Sequence, residues 1–192
     1  LAGDKETPQN AVLHFPGGLK DFLADRIEGL ETVTKEFFTG KSNKREGHGT
    51  VEWAVAWVAG EDGFLNSYCN TVPTPDGGTH EAGLRSALVK GLRAYGELTG
   101  NKRSAQLTAE DVLATGCALL SLFIREPEFQ GQTKDRLATQ EATRIVETTV
   151  RDAFDHWLTG NPPQANRLLE WVVDRAEERI RHRRAIGRPD VE

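Results

Sequence analysis

Methionine does not occur in this 192-residue chain, which begins at Leu1. A complete reading frame ordinarily opens on methionine, so the expectation is a piece of a longer protein, carrying one part of a site whose other parts lie elsewhere. Cysteine is nearly absent. Cys69 and Cys117 each stand alone in an apolar run, without a second cysteine or a histidine at metal-ligand spacing, which points to buried thiols in a reducing compartment, the cytoplasm, rather than to zinc or a disulfide. No apolar run approaches the roughly 18 to 20 residues that span a bilayer, and no signal peptide is visible, so no membrane partner is expected. An excess of positive charge is missing too: the formal net charge is -5, whereas domains that hold nucleic acid by bulk electrostatics usually carry more Lys and Arg than Asp and Glu. Any DNA contact must therefore be local. Internal repeats, low-complexity tracts and a sustained heptad are also lacking.

What is present is a globular balance, with 38% hydrophobic and 28% charged residues, and a length suited to one main domain. "AVLHF" reads as a short strand, and "LKDFLADRIEGL" puts Leu19, Phe22, Leu23, Arg26 and Ile27 at helical spacing. Val51, Trp53, Val55 and Trp57 alternate with Glu52, Ala54 and Ala56, and "GEDG" separates this run from "FLNSYCNTV", which predicts a β-hairpin. In "PTPDGGTH", Gly77 and Gly78 suit positive φ and Thr79 suits a cap for a helix starting near His80, with Leu84, Leu88, Leu92 and Tyr95 on one stripe. Thr108 and Asp111 have capping-box spacing, and "CALLSLFI" reads as a buried strand. A strong amphipathic helix follows, carrying Ala142, Val146, Val150, Phe154 and Leu158, and Pro162 and Pro163 open the last helix, which ends in "RIRHRRAIGR".

Several residues invite chemistry. "QGQTK" is a polar loop in which Gln132, Thr133 and Lys134 either form a solvated connection or present an amide, a hydroxyl and an ammonium to an anion; the loop alone leaves both open. His80 lacks a nucleophile or metal motif around it and reads as a packing residue in a helix's first turn. Asp111, Glu126, Glu128 and Asp135 raise a paired-carboxylate reading, for which solvation is the cheaper explanation. The basic end of the last helix is a solvated cap suited to the helix dipole or a nucleic-acid contact. The four tryptophans read as core.

Two segments, "YCNTVPTPDGGTHEAGLRSAL" and "PEFQGQTKDRLAT", occur in this order. Together with the opening "GGLKDFLADRIEGL" they resemble the transducer domain of bacterial type IIA topoisomerase B subunits, in the topoisomerase IV form more closely than in the gyrase form. The resemblance implies an α/β (α+β) fold of the ribosomal-protein S-five domain-2-like type, with a mixed four-stranded sheet, helices on one face and a C-terminal helix. It divides the chain into a linker at 1–16, a transducer domain at 17–160 and a helix at 161–192 leading toward a TOPRIM domain. It further implies that Lys134 reaches the γ-phosphate of ATP, with Gln132 as a second donor and Thr133 shaping the loop. Arg85 is then either a weak DNA contact in a central cavity or a solvated helix charge, with the segment from Arg179 to Arg188 as the other candidate for DNA. ATP would be held mostly by a preceding ATPase domain, Mg2+ elsewhere in the full-length protein, and the partners would be DNA, the cleavage subunit of topoisomerase IV (its A subunit) and a second B subunit upon ATP binding. Neither a glycine-rich ATP lid nor an acidic TOPRIM element occurs in this chain. From another class, a non-enzymatic α/β module could hold a nucleic-acid backbone through its basic last helix and loop lysines.

Overall fold

The computed structural model describes residues 18–42, 49–130 and 135–187; the expected linker at 1–16 and the strand within it lie outside them. The elements run α1 (Leu19–Arg26), β1 (Phe38–Lys41), β2 (Thr50–Trp57), β3 (Phe64–Cys69), β4 (Val72–Pro73), α2 (Thr79–Leu98), a 3-10 turn (Lys102–Gln106), α3 (Ala109–Leu113), β5 (Gly116–Phe123), β6 (Phe129–Gln130), β7 (Arg136–Leu137), α4 (Gln140–Gly160) and α5 (Pro162–Ile186). The capping box forms as its spacing predicts: the Thr108 hydroxyl accepts from the Asp111 backbone amide, and the Asp111 carboxylate accepts from the Thr108 amide. Asn161 caps α5 by accepting from the Gln164 amide, with Pro162 in the first turn.

Among the described residues five strands, not four, make the main sheet, in the order β1-β2-β5-β3-β4, and β6 pairs with β7 in a separate ribbon. The expected hairpin does not form. Strand β5 lies between β2 and β3, antiparallel to the first and parallel to the second. The residues between the two runs bond to the entry of β5 instead of closing a turn on each other: the Val58 amide donates to the Thr115 carbonyl and the Gly63 amide to the Ala114 carbonyl. Strand β5 is apolar on both faces through Leu119, Leu120 and Leu122, so the central position is where it loses the most contact with water. Its parallel pairing with β3 requires a crossover, which α2 supplies.

Both faces of the sheet are covered, which corrects the expectation of helices on one side. Val51, Trp53, Val55, Trp57, Leu120 and Leu122 face a core built with Leu84, Leu88 and Leu92 of α2, Val146, Val150 and Phe154 of α4, and Leu168, Leu169 and Val172 of α5. Full burial of each such leucine contributes about 2 kcal/mol. On the other face Ala54, Ala56 and Leu119 meet Leu19, Phe22, Leu23 and Ile27 of α1. Alanine is neutral in an alternation pattern, so Ala54 and Ala56 passed as the polar side of β2; they are the shallow floor on which α1 rests. Phe38 packs on Phe154 and Trp157, with ring centroids 4.8 and 5.6 Å apart, in keeping with the core reading of the tryptophans. Cys69 and Cys117 are buried free thiols.

The last helix is tied to the body by charge. Arg103 reaches Glu170, Asp174 and Glu177 on α5, and Arg179 grips Asp111 at 2.8 Å. Arg179 is thereby removed from the basic segment considered for DNA, and Asp111 from any paired-carboxylate role. No described helix is long and apolar enough to cross a membrane.

Candidate functional site

Residues Gln132, Thr133 and Lys134 lie outside the described residues, as does Gly131. Their flanks are described, and they are joined to the turn that the sequence singled out. Ribbon β6–β7 pairs Phe129 with Leu137 and Gln130 with Arg136, so the "GQTKD" segment is the connection at its end. The ribbon is stitched to the glycine turn by backbone alone: the Asp76 amide donates to the Asp135 carbonyl at 2.9 Å, and the Leu137 amide to the Gly77 carbonyl at 3.0 Å. At its other end the Ala138 amide donates to the Glu128 carbonyl, and the Glu128 amide to the Thr139 hydroxyl. Two motifs some fifty residues apart in the chain thus share one strip of backbone hydrogen bonds.

The glycines are required by this approach. Gly77 and Gly78 have φ of 74° and 138°, a region unfavourable for residues with a Cβ. A Cβ on Gly78 would lie 2.3 Å from the Leu137 carbonyl oxygen, and one on Gly77 would lie 2.4 Å from Glu81 Oε2. Gly78 occupies the N-cap position of α2 and Thr79 the first helical turn, with no side-chain cap. The expected threonine cap is thereby corrected: the tight turn already directs the chain into the helix, and the Thr79 hydroxyl is buried without a hydrogen-bond partner.

Beneath the turn lies a polar chain, buried at Ser67, Thr74 and His80 and partly buried at Glu81, that links β3, the turn and α2. Ser67 Oγ donates to Glu81 Oε1 at 2.8 Å, Ser67 Oγ and Thr74 Oγ1 are 2.7 Å apart, and Thr74 Oγ1 is 2.9 Å from His80 Nε2. One direction of donation satisfies all three contacts: His80 Nε2–H to Thr74, Thr74 O–H to Ser67, Ser67 O–H to Glu81. This leaves only the His80 Nδ1 lone pair without a partner. His80 is fully buried, as a packing residue should be, and burial lowers its pKa to about 4. Burial raises the Glu81 carboxyl, against the Ser67 hydrogen bond and the charges of Arg85 and Arg136, which lower it. Sequence reading named His80 but missed Ser67, Thr74 and Glu81. Their signal is a serine inside the apolar run of β3 and an acid directly after the histidine, both indistinguishable from surface residues until the turn folds over them.

A pH dependence follows. The folded pKa of His80 lies below its ordinary 6.5, so the unfolded chain binds a proton first on acidification, and the stability from the neutral imidazole is present above pH 6.5 and lost as pH falls toward 4. Acidification from pH 6.5 to 5 is expected to cost about 2 kcal/mol through this residue; the raised Glu81 acts with the opposite sign. Urea unfolding at several pH values checks it, and an unchanged slope in His80→Gln would exclude His80 as the source.

Arg85 is half-exposed, one turn beyond Glu81, with Nη2 3.9 Å from Glu81 Oε2. Among the described residues no group of three or more His, Cys, Asp or Glu could hold a metal ion. An open cavity of about 480 Å³ is lined by Arg167 but also by Glu31, Glu170 and Asp174, a carboxylate-rich wall unsuited to a polyphosphate.

Comparison with known proteins finds topoisomerase and gyrase B subunits. The B subunit of DNA topoisomerase 4 from Bartonella bacilliformis is 54% identical over 183 residues, 95% of this chain and 26% of that protein. Its namesake from Caulobacter vibrioides is 56% identical over 183 residues, 93% of this chain and 26% of its own length. The chain therefore spans about a quarter of the length of these curated relatives. Among solved structures, the topoisomerase IV ATP binding domain of Francisella tularensis superposes with a TM-score of 0.72 at 31% identity, over 87% of this chain and 44% of that one. The 43K ATPase domain of Thermus thermophilus gyrase B gives 0.77 at 27% identity, over 88% and 45%. The family model described as DNA gyrase B matches residues 18–187, and the chain belongs to that family.

Proposed function

We propose that this chain is the transducer segment of a bacterial type IIA topoisomerase B subunit of the topoisomerase IV kind, an ATP-dependent enzyme of the cytoplasm. In this reading residues 17–160 form the transducer, 161–192 lead toward a TOPRIM domain, and 1–16 arrive from an ATPase domain. The segment completes an ATP site through Lys134 and Gln132 and converts nucleotide state into movement of the gate that passes DNA. The observation that carries the reading is the backbone strip joining Asp76 and Gly77 to Asp135 and Leu137, which roots the loop in the sheet and α2. A phosphate-binding loop that must also transmit force needs such a root, because a misplacement of about 1 Å at a reacting group can cost about 100-fold in rate.

The donor set suits a terminal phosphate: an amide to orient one oxygen and an ammonium to neutralise charge. ATP, when bound, supplies the free energy that biases the gate. Mg2+ and the adenine pocket are assigned outside this chain. Support comes from the matched solved ATP-binding domains, less than half of which this chain covers. DNA, the cleavage subunit and a second B subunit are the partners, with Arg85 as a weak DNA contact; relatives named topoisomerase 4 favour this subtype over gyrase.

The isolated chain is accordingly expected to bind a non-hydrolysable ATP analogue with a Kd weaker than about 1 mM, measured by calorimetry, while the parent subunit binds it far more tightly. Micromolar binding by the chain alone would place the whole nucleotide site within it and overturn the division proposed.

A further inference from the structure

Resting on that reading, we infer that Glu81 is a positioning residue for ATP turnover: from the first turn of α2 it holds the glycine turn, and through it the root of the β6–β7 ribbon, in register with the sheet. Its two carboxylate oxygens are used differently. Oε1 accepts from Ser67 on β3, which fixes the side chain against the strand. Oε2 fills the space beside Gly77 that a Cβ would need, 2.4 Å from the ideal Cβ position. Gly77 is the residue whose carbonyl receives the Leu137 amide, so the carboxylate is packed under the backbone that carries the ribbon.

The charge acts in the same direction. The positive charges of Arg85 on α2, with Nη2 3.9 Å from Oε2, and of Arg136 on β7 favour the ionised Glu81 carboxylate against its burial. Ser67 is in turn bound to Thr74, and Thr74 to His80, so Glu81 sits at the end of a chain of buried contacts that leaves it one orientation. A surface glutamate would need none of this. A partly buried carboxylate stays charged only with partners, and here each partner belongs to an element that borders the ribbon or the turn.

The test uses the parent subunit with its cleavage partner and the variants Glu81→Ala and Glu81→Gln, each alone and combined with Lys134→Ala. Glu81→Gln keeps an acceptor for Ser67 and removes only the charge, and so guards against a variant that fails to fold. Glu81→Ala is expected to lower kcat by about tenfold or more with KM for ATP within about twofold, and Glu81→Gln to fall between it and wild type. In the Lys134→Ala background neither should lower kcat further, because a residue that acts by placing Lys134 has nothing left to place. Hydrogen exchange at the Leu137 amide is expected to quicken by about tenfold in Glu81→Ala, a measure that does not involve Lys134. Losses that multiply in the double variants, a wild-type kcat in Glu81→Ala, or unchanged exchange at Leu137 would each overturn the inference. If Lys134→Ala alone kept wild-type turnover, the functional reading would fall with the catalytic part of the inference, and exchange at Leu137 would decide separately whether Glu81 holds the ribbon.

Discussion

Replacing Lys134 by alanine in the parent subunit is expected to leave folding and ATP binding largely intact and to lower ATP turnover by about 10²- to 10³-fold. The adenine and ribose contacts are assigned to another domain, so ground-state affinity does not rest mainly on this ammonium. During phosphoryl transfer the charge on the terminal oxygens is redistributed, and removing one preorganised electrostatic donor from such a site commonly costs about 3 to 4 kcal/mol. Lys134→Arg should rescue only in part, because a planar guanidinium is bulkier and directs its donors differently from an ammonium. Gln132→Ala should be milder, a neutral amide being the weaker partner. Steady-state kinetics and a separate ATP-binding measurement check the split. Near wild-type turnover and DNA relaxation by Lys134→Ala would reduce the loop to a connection.

The Gly78→Ala variant is expected to destabilise the fold by about 3 to 5 kcal/mol. At φ of 138° an alanine is strained by roughly 1 to 3 kcal/mol. Its Cβ would also meet the backbone of Leu137 at 2.3 Å from the carbonyl oxygen and 2.7 Å from the nitrogen. A flexible side chain could swing away from such a contact; two backbones cannot. Relief requires β7 to move off the turn, which lengthens the bond from the Leu137 amide to the Gly77 carbonyl and its neighbour from Asp76 to Asp135. Turnover should fall with it, while ATP affinity in the parent follows the other domain. Thermal unfolding measures the first effect and kinetics the second. By contrast Gly29 and Gly60, with no atom within 4 Å of an added Cβ, should tolerate alanine with only the loss from positive φ. Equal destabilisation at Gly78 and Gly60 would show that the clash with β7 does not govern the site.

The helices were legible because their periodicity is strong and local. Ala142, Val146, Val150, Phe154 and Leu158 predict the buried face of α4, and all are buried. The capping box at Thr108 and the prolines that open α5 involve bonds within three residues, so the chain's local pattern was sufficient. Pairing of strands was not legible. Runs 51–57 and 64–69 are close in sequence and carry hairpin-like patterns, yet β5 enters between them from fifty residues away. Nothing local distinguishes two strands that pair from two that flank a third, since the deciding quantity is how much apolar area β5 withdraws from water at the centre.

The sequence by itself determined the family, through "GGTH" and "QTK" in order, as well as the helical stripes, the buried thiols and the glycine positions at 77 and 78. Those are properties of residue type and short spacing. Tertiary structure decided the partnerships: that Arg179 serves Asp111, that α1 covers the second face on a floor of alanines, and that buried Ser67, Thr74 and His80 form one chain ending on partly buried Glu81. It also decided that the two motifs meet through backbone hydrogen bonds. A main-chain amide and carbonyl are the same in every residue, so their pairing leaves no mark in composition or pattern and exists only once the chain has folded around them.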